Sequence, residues 1–397
     1  MNRNRWFWIG GLALAIALAI TGARAQSNSG GGAAGHADSG GSSTAGSAAA
    51  DAPKMAEEQF KNIKVLKGVP AEQVFPAMQF ITASLGVECE YCHVRGEKGM
   101  EFEKDDKKTK QTARKMMEMM FAINKDNFEG HRDVTCYSCH RGAADPVATP
   151  IISDEEPKHE AGPGGVEAAK PVLPDANQLL DKYLAAVGGA AALQKVSSRV
   201  EKGEISANGH DLPIEVYAKA PDKRISIMHM PNGDSITAFD GKQGWLSNGG
   251  HAHMMSAAEN DAVRIDADFY FAQHVKALYT KFTTLPGETI DGHDTWLVVG
   301  RSEGHPPLRL YLDKESGLLV RLIRYAETPL GRNPTQIDYA DYREADGVKI
   351  PYKWTLARPG GRFTIQVTDV QQNVSVEDAK FNPPPMPPTP ENKPAGH

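Results

Sequence analysis

The chain is poor in cysteine. It has 4 in 397 residues, and they fall in two C-x-x-C pairs. That excludes a small fold stapled by many disulfides. The formal net charge is -6, so there is no excess of basic side chains, and nucleic acid is not expected as a partner. Beyond the N-terminal segment no run is apolar enough to cross a bilayer. No Ser-His-Asp arrangement and no phosphate loop is found, and the acids of the C-terminal half show no convergent acid–base pattern. His251-Ala-His253-Met254-Met255 offers ligands of the kind that hold copper, but it reads as a His- and Met-rich turn.

What is present begins with the residue after each pair. Cys89-Glu90-Tyr91-Cys92-His93 and Cys136-Tyr137-Ser138-Cys139-His140 both spell C-x-x-C-H, the spacing at which c-type haem is attached. Two thiols can add to the two vinyl groups, and the following imidazole can take the iron. Two disulfide loops or a four-thiolate zinc site would use the same cysteines, but neither needs a histidine after each pair. The expectation is two covalent haems, with Cys89, Cys92, Cys136 and Cys139 as attachment points and His93 and His140 as proximal ligands.

Asn2-Arg3-Asn4-Arg5, the apolar run Trp6 to Ile20 and Ala23-Arg24-Ala25 have the order of a cleaved secretory signal, residues 1–25. Residues 26–52 are a Gly/Ser/Ala tether. A small all-α domain is expected over 53–144, with helices over Ala56–Leu66, from Pro70 to a stop at Gly86, and from Thr109 or Thr112 to about Asn124. The charged stretch Glu97 to Lys110 reads as a solvated loop. Residues 145–174 form a Pro- and Gly-rich linker. Residues 175–383 open with a helix capped by Asp175 and then alternate with period two. Turn pairs such as Asp240-Gly241, Asp291-Gly292 and Asp346-Gly347 separate the strands, which predicts an antiparallel curved sheet or half-barrel with one or two helices. Residues 384–397 form a Pro-rich tail.

Each haem motif follows a helix that bears methionine. Met78 shares a face with Val74, Ile81 and Leu85. Met116, Met117, Met119 and Met120 crowd the later helix, and periodicity does not choose among them. His131 is a further candidate ligand. A closed sixth position leaves electron transfer, whereas an open one admits peroxidase-type chemistry.

The run Thr112-Ala-Arg-Lys-Met116-Met-Glu-Met, then Ala122-Ile-Asn124 and Val134-Thr-Cys-Tyr-Ser-Cys-His-Arg-Gly142, resembles the cytochrome c subunit of photosynthetic reaction centres. Met78-Gln-Phe-Ile-Thr before the first motif does so as well. The resemblance covers about residues 53–142. It implies an exported single-electron carrier that serves redox proteins or a membrane-bound complex, with Met78 and Met116 as sixth ligands. Family members carry four haems and this chain carries two, so His131, which matches a ligand position of the missing half, is left without its haem. The strand pattern of the C-terminal part resembles the half-barrel of LolA-type lipoprotein carriers, which implies an apolar ligand there.

Overall fold

The computed structural model describes residues 54–97, 99–148, 172–207, 209–359 and 361–385. The expected signal, the tether, most of the 145–174 linker and most of the tail lie outside the described residues.

The first part is built from α1 (Ala56–Gln59), α2 (Val74–Leu85), a ribbon of β1 (Val94–Gly96) and β2 (Gly99–Glu101), α3 (Lys108–Asn127) and α4 (Cys136–His140). Helix α1 is far shorter than the expected Ala56–Leu66. Asn62 adopts φ 66°, and its amide donates to the Glu103 carbonyl at 2.5 Å and to Asp105 Oδ1 at 2.9 Å. A side chain that bonds so well outside a helix competes with helix continuation. Helix α2 runs as expected and ends at Gly86 in the left-handed region, φ 63°. The Gly86 Cα faces the Gly142 carbonyl so closely that a side chain would collide with it. Ala77, Phe80 and Ile81 of α2 pack with Met117 and Met120 of α3 to form one small core.

The charged stretch is not a plain solvated loop. Its first half contains β2, which pairs with β1 just before the stretch. Its second half turns around Asp105, which pairs with Lys64 at 3.0 Å, Lys110 at 3.0 Å and Arg114 at 2.9 Å. Lys110 is buried on α3 and also donates to the carbonyls of Phe102 and Lys104. Mixed charges in sequence thus become an ion cluster that ties the loop to the helix.

The second part contains α5 (Ala176–Ala186), α6 (Ala190–Leu193), β3 (Ser198–Ala207), β4 (His210–Lys219), β5 (Lys223–Met228), β6 (Ser235–Phe239), β7 (Gly244–Asn248), β8 (His251–Met254), α7 (Ala257–Ala267), α8 (Phe271–Leu278), β9 (Lys281–Ile290), β10 (His293–Arg301), β11 (Leu308–Asp313), β12 (Leu319–Thr328), β13 (Gly331–Ala345), β14 (Val348–Arg358) and β15 (Gly361–Gln372). Asp175 caps α5 by accepting from the Gln178 N–H at 3.1 Å. All thirteen strands β3–β15 join one antiparallel sheet in the order β8-β7-β6-β5-β4-β3-β15-β14-β13-β12-β11-β10-β9. The outer strands β8 and β9 do not pair with each other, so the sheet stays open. Asp291-Gly292 and Asp346-Gly347 have positive φ at both residues, as the sequence pairs predict. Helices α5 and α8 lie on one sheet face, where Leu180, Tyr183 and Val275 pack against Val298, Leu310, Leu322 and Ile350. The sequence leads one to expect one or two helices in this part, and the described residues form four, α5–α8. The His251–Met254 stretch is the edge strand β8 and not a turn, and Met255 is buried beside α7. Among the described residues no cluster of three or more His, Cys, Asp or Glu suits a metal ion, and no helix is long and apolar enough to cross a membrane.

The hydrogen bonds from its cationic neighbours hold the Asp105 carboxyl far below the usual carboxylate range. A depressed folded-state pKa gives stability that is complete above the unfolded pKa and is lost as pH falls through the carboxylate range. Asp105→Asn should therefore lower Tm at pH 7 by several degrees. The gap to wild type should narrow as melting is repeated toward pH 3. An equal gap at every pH would contradict the ion cluster.

Candidate haem-attachment sites

The first motif forms a tight turn over Cys89–Tyr91, with the His93 N–H on the Cys89 carbonyl at 2.9 Å. The start of α3 pins it. Thr109 Oγ1 donates to the Tyr91 carbonyl at 2.6 Å, and Lys107 Nζ donates to the Glu90 carbonyl. The His93 ring stands edge-on to Phe102, with centroids 5.1 Å apart. Its Nδ1 is buried with no partner. Burial, then the nearby Lys110 charge, lowers its pKa, which favours the neutral imidazole that binds iron.

The second motif is the short helix α4, where one turn brings both thiols and His140 to adjacent positions. Asn124 of α3 sets its approach. The side chain is buried, accepts from the Asp133 and Val134 N–H groups and donates to the Val134 carbonyl at 2.7 Å. The Gly142 N–H then bonds the Ser84 carbonyl at 2.9 Å, which ties the exit of the motif to α2. His140 Nδ1 lies 3.0 Å from the Ala143 carbonyl. With the proton on Nδ1 this bond presents Nε2 as the free lone pair, the usual support of a metal-bound imidazole. Asn124 and the Ala143 carbonyl are positioning groups that the sequence did not single out. A buried polar residue on an otherwise apolar helix face was the available signal for Asn124.

Met78 is half-buried on α2, and it and Cys136 both pack against the core formed with α3. Met117 and Met120 are 7% and 4% exposed and belong to that core, whereas Met116 and Met119 are 37% and 47% exposed. Met116 is thus free of packing duty and Met117 and Met120 are not. Among the described residues His131 makes no side-chain hydrogen bond, although its N–H bonds the Phe128 carbonyl at 2.7 Å.

The residues fit covalent haem. All four thiols are free, and none is paired with another. Ten of the thirteen large apolar residues that are exposed, among those described, lie in the segment 54–148, Phe75, Phe102, Phe121, Phe128, Tyr91 and Tyr137 among them. A segment this small leaves surface that porphyrin faces would cover.

Residues 29–177 match the family described as "Photosynthetic reaction centre cytochrome C subunit". The subunit of that name from Thermochromatium tepidum is 34% identical over 112 residues, 27% of this chain and 26% of that protein. Cytochrome c-554 of Chloroflexus aurantiacus is 33% identical over 89 residues, 21% of this chain and 20% of that protein. The chain thus spans about a quarter of the length of the curated relatives it matches. Solved structures similar to the sheet include a DUF1329 family protein from Desulfovibrio piger, at 13% identity and TM-score 0.37, covering 52% of this chain and 97% of that one. A LolA superfamily protein from Nitrosomonas europaea has 13% identity and TM-score 0.35, covering 53% and 99%.

Burial raises the thiol pKa of both Cys92 and Cys136, while Cys89 and Cys139 are exposed. In haem-free protein at pH 8, iodoacetamide should therefore label Cys89 and Cys139 first, as mapped by peptide mass. Equal labelling of all four would refute the burial.

The part of the chain that carries both C-x-x-C-H motifs is similar to the photosynthetic reaction centre cytochrome c subunits.

Proposed function

We propose that this protein is an exported dihaem c-type cytochrome that carries single electrons between redox proteins, one of them a membrane-bound complex. The observation that carries the reading is the pair of C-x-x-C-H turns, each preceded by a methionine-bearing helix. Residues 1–25 would direct export, 53–144 would hold the haems, and 175–383 would form a sheet domain that docks a partner or holds an apolar ligand. Bound c-type haem supplies one-electron exchange between ferric and ferrous iron.

The chain's own residues do the rest. Cys89 and Cys92 would anchor one group, and Cys136 and Cys139 the other. His93 and His140 would hold the irons from one side. The carbonyl that accepts from His140 Nδ1–H raises the basicity of the other nitrogen and fixes the ring. Met78 and Met116 would each supply a further iron ligand. A neutral thioether favours the ferrous state and raises the potential. It also excludes peroxide from the iron, which weighs against the peroxidase-type reading. Met116 suits this role because packing does not already occupy it.

The test is the purified protein made in a host that attaches haem c. Intact mass should show two haems per chain and a start near Gln26. The reduced spectrum should not change under carbon monoxide. Met78→Ala and Met116→Ala should each open one iron to the gas. A haem count other than two, or carbon monoxide binding by the unaltered protein, would overturn the reading.

A further inference from the structure

The tip of the β12–β13 hairpin enters the helical core. Leu330 has 0% exposure and sits in the cluster of Leu66, Ala77, Phe80, Ile81, Met117 and Met120, against which Cys136 also packs. Gly331 lies under the Phe80 ring, where even a methyl group would collide. Polar bonds surround this apolar plug. Arg132, just before the second motif, pairs with Glu327 at 2.6 Å and donates to the Thr328 carbonyl. Glu327 also holds Arg332 at 2.6 Å. Asn333 donates to the Pro76 carbonyl of α2 at 3.1 Å. Crevices of 640 and 1340 Å³ flank the tip, and both are lined by Arg132, Pro329 and Arg332. The larger one reaches Thr135 and Tyr137 at the second motif.

The first motif is built differently. Its contacts come from Phe102, Lys107 and Thr109, all within the helical part.

Resting on the dihaem reading above, we propose that the β12–β13 tip is a wall of the second haem site and sets the potential of that haem more strongly than that of the first. The warrant is polarity. Leu330 fills space between two water-accessible crevices, beside the thiol that would carry the second haem. A dry surrounding disfavours the extra charge of ferric iron, so burial raises the potential. Letting water in at the tip stabilises the ferric state of that haem. The first motif takes its contacts from the loop and the start of α3, and only Met78 of α2 links its haem to the same core, so the first haem shifts less. The sheet is then part of the redox centre, and whatever deforms the hairpin shifts the second haem.

The experiment is spectroelectrochemical titration of the holoprotein for wild type, Leu330→Ala and Gly331→Ala. Cys89→Ala/Cys92→Ala and Cys136→Ala/Cys139→Ala proteins assign the two waves. Wild type with a single wave and one haem by mass would defeat the dihaem reading itself. With two waves present, the expected result is a fall of the second-haem wave in both variants and at most a smaller shift of the first. Both waves moving equally, or neither moving, would overturn the proposal. If the variants lose haem on purification, the haem-free chain still answers. Iodoacetamide labelling of Cys136 relative to Cys139 should rise several-fold in Gly331→Ala, and an unchanged ratio would overturn the proposal equally.

Discussion

The sheet depends on one pairing that is not local. Every neighbour in its order is also a neighbour in sequence except β3 and β15. That pair joins the meander β3–β8 to the meander β9–β15 across more than 150 residues of chain. It runs from Ser206 opposite Thr364 to Arg199 opposite Gln372, with an irregularity between Val367 and Asp369. Gly203 sits in the middle of it, and a side chain there would strike the Gln366 carbonyl. The close approach holds only while this position is glycine. Without the pairing, two smaller sheets would remain, each with a second exposed edge.

The hairpin that meets the helical part belongs to the second of these meanders. The link between the halves therefore runs from β3–β15 through β14 and β13 to Leu330. One end is backbone ladder and the other is a single buried leucine with two ion pairs around it. The helical part has a small core of its own, and the sheet supplies one of its seven fully packed members. That is a modest contact in area, but it falls beside Cys136 and not beside the first motif.

Local patterns made much of this legible. Gly86, Asp175 and the Asp-Gly turns do in the structure what their chemistry predicts. The haem motifs needed no fold at all, because their spacing is itself the geometry. What sequence could not supply was any feature that depends on distant partners. Asn62 ends α1 because Glu103 and Asp105 come to it from the loop. Lys110 is buried because carbonyls and Asp105 surround it. Periodicity puts Met116 and Met120 on one face of α3 without choosing a ligand, whereas packing buries Met117 and Met120 and leaves Met116 and Met119 exposed. Leu330 looks like any strand-end leucine until α2 is laid against it.

The uneven placement of exposed apolar side chains has a consequence for how the molecule is made. The helical segment shows most of the large ones, while the sheet buries nearly all of its own. Two independent timetables follow. On the dihaem reading, the sheet would not wait for haem, whereas the helical segment would keep its apolar surface exposed until porphyrin covered it. A chain that misses the attachment machinery would carry a finished half and an unfinished half, and the unfinished half is the one that proteases and chaperones would find. Supply of haem then governs abundance as well as colour.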